Sequence, residues 1–558
     1  MSKVTSTSQQ RLDLRLGTSR PARRAERVNL SFRDEVVAMH RQIYRDNQQR
    51  INEAVSGYTP AFRRYERDYH RRVSTYQQRA DIQELDRRVA SADVVYVGDY
   101  HTLTQAQRGF IRLLRRVPEH RPITIAVEFV RAQHQKHLNA FLAGELSESE
   151  FQDAVGYDPE HGAGDWDSFR RIFEFARERQ LRVLAIDSLG RGPHSTLVNR
   201  DHTAARIISR ELARHPENLI MVLTGELHIT PEHLPQRVHE SLRREGLVHE
   251  PLIVYQNCHE IYWQLAARGQ EHDVEVVRIA RGEYYLLNTL PIVAQQSFLN
   301  WLNVDEDTQL DAPEDNFVEF ARLIAEFFDL PVGDRIEDVE VTSVVDLSFI
   351  DRLRRRGDFS GADMREIQRQ ILRSESYTIP RANMVYLGNL SVNHAAEEAS
   401  HFVRSICSGA LEPRMLVDAF YARCLEEAVG FLGSKLLNHK RRAPDVRWLE
   451  RRSKNRRLPE HERQVARLVL KHLRMEAGLR IRGGSSLYEC DADTFNEVTH
   501  LLGYILGEKI YYALIAGQID KAEVRELYFE AFEEDGVALT TYLFYVSRTK
   551  GTRVPARG

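Results

Sequence analysis

Between residues 91 and 290 the spacing of apolar positions alternates between short unbroken runs and a helical period. Val94-Val-Tyr-Val97, Ile123-Thr-Ile-Ala-Val127, Arg182-Val-Leu-Ala-Ile186, Leu219-Ile-Met-Val-Leu223 and Pro251-Leu-Ile-Val-Tyr255 are too short and too rich in β-favouring residues for helices. They predict strands over 94–98, 123–129, 182–187, 219–224 and 251–256. Apolar residues spaced by three and four predict helices between them, over 104–116, 132–142 (extending past Gly144), 147–154, 165–179, 199–214 and 235–245. Strands buried on both faces and joined by helix-length connections imply a mainly parallel, doubly wound α/β sheet. A hairpin turning at Arg281-Gly282 closes this region and adds an antiparallel edge.

The flanks read differently. Residues 1 to about 30 are polar and Arg-rich, and are expected to be a disordered basic tail. Residues 31–90 form a helical arm, with Phe62, Tyr65, Tyr69, Val73 and Tyr76 on one face. From 291 to 558 the helical period persists, as in Phe317, Phe320, Ala321, Ile324 and Phe328, and a mostly α-helical domain follows. Its helices are expected near 314–328, 361–374, 391–407, 413–438, 461–476, 491–515 and 520–533, with one strand near 339–347. The cationic stretch 440–457 reads as a solvated interhelical loop, although such a run can also meet phosphate groups.

Composition narrows the partners. A net charge of −3 over 558 residues gives no field for nucleic acid, and no apolar run reaches the length of a transmembrane helix. The first ten residues carry neither a secretory signal nor a lipid-attachment cysteine, and four scattered cysteines suggest reduced thiols, so a cytoplasmic location is expected.

The chemistry concentrates where strands end. In a parallel sheet all carboxyl ends open on one edge, which would gather Asp99, His101, Glu128, Asp187, Glu226, His228 and Asn257. Gly98-x-x-His101 and Gly225-x-x-His228 each follow an apolar strand, unlike Gly246-x-x-His249 and Gly269-x-x-His272. Two imidazoles and Glu128 suffice for a divalent metal with open positions, or for general acid–base work without one. A bland reading stands beside these, since a histidine at a strand end is commonly a hydrogen-bonded core residue. In the helical domain, Glu398-x-x-His401 and Glu497-x-x-His500, with Glu426 or Glu427 between them, have di-iron bundle spacing. An exposed helix-face pair is the more common meaning of that spacing.

Residues 91 to about 260 resemble the ChaN family of haem-binding proteins, within the superfamily that holds the Tiki proteases, TraB proteins and erythromycin esterases. The resemblance rests on Val97-Gly-Asp-Tyr-His101, Ala126-Val-Glu-Phe129, the segment 138–151, Asp165-Trp166 with Phe173-Glu-Phe-Ala-Arg177, Leu184-Ala-Ile-Asp187 and Leu223-Thr-Gly-Glu-Leu-His228. It implies a ChaN/Tiki-like sheet whose shared site maps onto His101, Glu128 and His228. It also implies haem or iron as ligand, held at a homodimer interface, with Tyr100 nearest to a haem-ligating tyrosine. Asp99, Asp187 and Glu226 would line the cofactor. Asp99 departs from the family's usual glutamate, and the family's lipid anchor is not seen. The alternatives are a metal-dependent peptidase or esterase of the Tiki or erythromycin-esterase kind, and a scaffold without catalysis.

Overall fold

The computed structural model describes residues 30–55, 59–157, 166–188, 197–302, 313–343, 348–372, 376–389, 391–409, 415–479, 488 and 490–555. The expected N-terminal tail, residue Asp165 and part of the strand expected near 339–347 lie outside them.

Eight strands form the main sheet: β1 (Gln78–Ala80), β2 (Val94–Asp99), β3 (Ile123–Arg131), β4 (Arg182–Asp187), β5 (Leu219–Gly225), β6 (Pro251–Tyr255), β7 (Val276–Ala280) and β8 (Glu283–Leu286). Their order is β1-β7-β8-β6-β2-β5-β3-β4. The strands from β8 to β4 are all parallel. β7 runs against both β8 and β1. Gly282, at a φ of +75°, supplies the left-handed residue in the tight turn between β7 and β8. The mainly parallel α/β sheet is therefore as expected, and the hairpin joins it through β8, parallel to β6.

The arm is not helical throughout. After helices Phe32–Ala54 and Pro60–Arg72, residues 78–80 pair with β7 as the sheet's edge strand before helix Ile82–Ser91. Three residues of Gln-Arg-Ala carry no period of their own, so the edge of β7 determines their form. The basic stretch also departs from expectation. Val446–Lys454 is a helix, started by Asp445, whose side chain accepts the Trp448 backbone N–H at 2.6 Å. Helices His259–Ala267, Pro291–Leu302, Phe349–Arg356 and Val537–Arg548 were not anticipated. In the C-terminal region a small sheet forms from β9 (Glu340–Ser343), β10 (Tyr377–Ile379) and β11 (Met384–Leu387).

Alternation along each strand builds two cores. Val95 and Val97, with Ile125, Val127, Met221 and Leu223, pack against helices Thr104–Arg116, Gln135–Ala143 and Trp166–Glu178. Val94 and Tyr96, with Ala126, Ile220 and Val222, join a second cluster on the other face. That cluster runs without a break through arm residues Val36, Ile43, Tyr69 and Val73 into the C-terminal helices as far as Tyr545. One face of the sheet thus shares its core with the helical region.

Candidate functional site

The carboxyl ends of β2, β5 and β3 lie side by side, with Asp99 opposite Gly225 in the register. β3 breaks its pairing with β4 between Val127 and Arg131, so Glu128 sits where the backbone leaves the ladder. His101 follows β2, and His228 lies in the single helical turn Glu226–His228 after β5. A Cβ placed on Gly225 would stand 3.5 Å from Glu128 Oε2, 3.6 Å from His228 Cδ2 and 3.7 Å from His101 Nε2. The three residues therefore surround one point.

Each histidine is fixed by an aspartate. His101 Nδ1 lies 2.7 Å from Asp99 Oδ2, and Gln107 donates to the other Asp99 oxygen. His228 Nδ1 lies 2.6 Å from Asp201 Oδ1. A carboxylate on Nδ1 sets the tautomer and turns Nε2 outward as an acceptor or ligand atom. Burial works against the charge on His101, but Asp99 and then Glu128 overcome it and raise its pKa to about 9. His228 is raised as well, with Glu128 and Asp201 outweighing burial.

Glu128 is the shared anion. Its Oε2 accepts from Gly225 N–H at 2.6 Å and from the Thr224 hydroxyl at 2.5 Å, while Oε1 pairs with Arg200. Burial would protonate it, yet His228, Arg200 and His101 hold it well below the usual carboxylate range. Arg200 also donates to Asp187 at 2.7 Å, so Asp187 orients this cation at the end of β4. His228 Nε2 stands 3.7 Å from Glu128 Oε1.

Glu226, Tyr100 and Asn257 have further partners of their own. Glu226 Oε1 accepts the backbone N–H groups of Gln256 at 2.5 Å and Asn257 at 2.7 Å, and its other oxygen meets the Tyr69 hydroxyl. Tyr69 also reaches the Asn257 carbonyl at 2.7 Å, so this set ties the arm to the end of β6. Tyr100 stands edge-on to Phe298 of helix Pro291–Leu302, at 6.3 Å between ring centroids.

Sequence reasoning overlooked Arg200, Asp201, Tyr65, Tyr69 and Gln107. Tyr65 donates to Asp201 Oδ2 at 2.7 Å and stacks on His233 at 3.6 Å. A signal for Arg200 was present. In an α/β unit, a helix that follows a strand starts at the ligand edge, so charged residues in its first turn face the site.

Residues 85–189 match the family model described as haem-binding uptake, Tiki superfamily, ChaN. The match takes in Asp99, Tyr100, His101, Glu128 and Asp187, and ends before Arg200, Asp201, Glu226 and His228. Among solved structures, the chain is similar to one titled "Cofacial heme binding to ChaN of Campylobacter jejuni". Identity is 14%, over 34% of this chain and 89% of that one, with a TM-score of 0.24. No curated protein matches. No described helix is long and apolar enough to cross a membrane.

Among the described residues, two groups bring three donor atoms within 4.8 Å of one another: His70–His259–Glu260 and Glu397–Glu427–His500. The set His101–Glu128–His228 is not one of them. The second group revises the di-iron spacing. Glu497 is exposed and bonded to His461 at 2.7 Å, and Glu397, one residue before the expected Glu398, takes the inward place. Glu497 and His500 are 52% and 43% exposed, and their partners separate them, since His500 Nδ1 lies 2.8 Å from Glu427 Oε2.

Proposed function

We propose that the ChaN-like segment binds haem at the carboxyl edge of the sheet, with His101 Nε2 as the ligand to iron. The observation that carries this reading is the Asp99–His101 pair. Its imidazole is oriented through Nδ1 at 2.7 Å, and its side chain is one-third exposed while His228 is 6% exposed. A carboxylate behind a ligating histidine raises its basicity, which is how protein ligands tune iron. The residues present fit such a group: a partly exposed imidazole, the Tyr100–Phe298 ring pair that begins at the adjacent residue of the chain, and the Arg200 cation on Glu128. Bound haem would supply the iron and its redox chemistry. The chain would contribute orientation of His101 and the charge that Glu128 and Arg200 set around it.

A second reading is favoured by the pairing of both imidazoles with aspartates on either side of an ionised Glu128. That set could shuttle protons in hydrolysis of a peptide or ester. As a metal site it would need Arg200 to leave Glu128.

Titration of the purified protein with haem tests the first reading. A shifted Soret band at stoichiometric haem is expected, lost in His101→Ala and kept in Tyr100→Phe. Loss in Tyr100→Phe alone would transfer the ligand role to Tyr100. No band shift in the unaltered protein, together with ester or peptide turnover abolished by His228→Ala, would favour the second. Sedimentation with and without haem checks whether a second copy of the chain completes the site.

A further inference from the structure

Helix Pro60–Arg72 of the arm meets helix His259–Ala267, which follows β6, at a cluster that haem binding leaves unused. His70 Nδ1 lies 2.8 Å from Glu260 Oε1, and His259 Nε2 lies 3.1 Å from the same oxygen. The two imidazole rings are 5.3 Å apart and inclined at 63°. The second Glu260 oxygen, Oε2, is buried and has no hydrogen-bond partner. We propose that His70, His259 and Glu260 form a binding site for a divalent first-row transition metal such as Zn²⁺.

The spacing is close to what a metal requires. Ligands about 2.0–2.2 Å from a tetrahedral centre stand roughly 3.3 Å apart, so the two observed N–O distances need to open by only a few tenths of an ångström. His70 is 41% exposed, and its side chain has room for that movement. Two imidazoles with one carboxylate suit zinc or iron(II), whereas Mg²⁺ and Ca²⁺ take oxygen ligands. Partial exposure of all three side chains leaves a coordination position for water or a ligand. The Glu260 oxygen without a partner could make its coordination bidentate.

Charge favours this cluster over the one in the helical region. The ion partners of Glu260 are the two imidazoles themselves, which give up their protons to a metal at neutral pH. Glu397 and Glu427 are each paired with an arginine, Arg441 at 2.7 Å and Arg423 at 2.8 Å, which a metal would have to displace. A metal held by His70 and His259 would also clasp the arm to the sheet.

The test uses the full chain, freed of metal by chelator and titrated with Co²⁺ by visible absorption and with Zn²⁺ by calorimetry. One equivalent is expected to bind. His259→Ala, His70→Ala and Glu260→Gln should each weaken it by at least about tenfold. His101→Ala should leave it unchanged, with circular dichroism checking that each variant is folded. Failure of the unaltered protein to bind, or unaltered binding in folded His70→Ala and His259→Ala, overturns the proposal. Haem titration of His259→Ala separates the two readings, because the haem site does not use this residue.

Discussion

The two Gly-x-x-His strand ends look alike in the chain and differ in the fold. After β2, His101 takes its aspartate from its own segment, two residues back, and keeps one-third of its side chain exposed. After β5, His228 takes its aspartate from helix Leu197–Arg214, and that aspartate is held in turn by Tyr65 of the arm and faced by Arg237 at 3.4 Å. One motif thus leaves an imidazole partly open to solvent, and the other anchors a buried network that joins three parts of the chain. A shared spacing fixes where a histidine is delivered. Its neighbours decide what it can do.

Removing the two aspartates should expose this contrast most strongly. Asp201→Ala strands the Tyr65 hydroxyl, His228 and Arg237 inside the protein, and should cost about 3 kcal/mol or more. Asp99→Ala frees a histidine that can turn to solvent and leaves only the buried Gln107 amide without its acceptor, and about 1–2 kcal/mol is expected. Urea denaturation compares the two; equal losses would mean that the second network is no more locked than the first.

The two glycines offer a finer cut. A Cβ on Gly98 would come within 2.5 Å of Glu226 Cγ, and Glu226 is pinned by two backbone N–H groups, so it cannot move aside. Gly98→Ala should therefore cost roughly 1–3 kcal/mol through overpacking. On Gly225 the same atom meets its neighbours at ordinary contact distances, and Gly225→Ala should fold within about 0.5 kcal/mol of the unaltered protein. That methyl group would nevertheless stand among His101, Glu128 and His228, so haem titration should register it where denaturation does not.

This contrast also marks how far the text of the chain could be read. The strands and the helices between them follow from apolar runs and periods, because burial on both faces of a parallel sheet leaves so little freedom in composition. Thr104–Arg116 matched to the residue. The convergence of His101, Glu128 and His228 was legible because all parallel strands end on one edge. Asp201 and Tyr65 were not, since their roles depend on contacts across 27 and 136 positions of sequence. Edge strand β1 and helix Val446–Lys454 were missed for the opposite reason: one is three residues long, and the other is mostly charged with Leu449 its one buried residue. The aromatic stripe of the arm was visible as a helix face, but nothing in it announced that Tyr65 and Tyr69 would reach the site.

The remaining expected effect is on proton binding. The pKa of His101 is raised from the ordinary 6.5 to about 9, with Asp99 and Glu128 overcoming burial. A group raised in the folded state stabilises the fold fully below pH 6.5 and loses that contribution as the pH climbs through about 9. Asp99→Asn removes the partner while His228 and Asp201 stay unchanged, so the stability gap between the two proteins should narrow over that window. Urea midpoints for both at pH 6 and pH 9 measure it, and a constant gap would dissociate His101 from Asp99. The same titration bears on ligand binding, because only the neutral ring can offer Nε2 to iron. Haem affinity should rise with pH up to about 9 in the unaltered protein, and should level off at lower pH in Asp99→Asn, where the imidazole gives up its proton more readily.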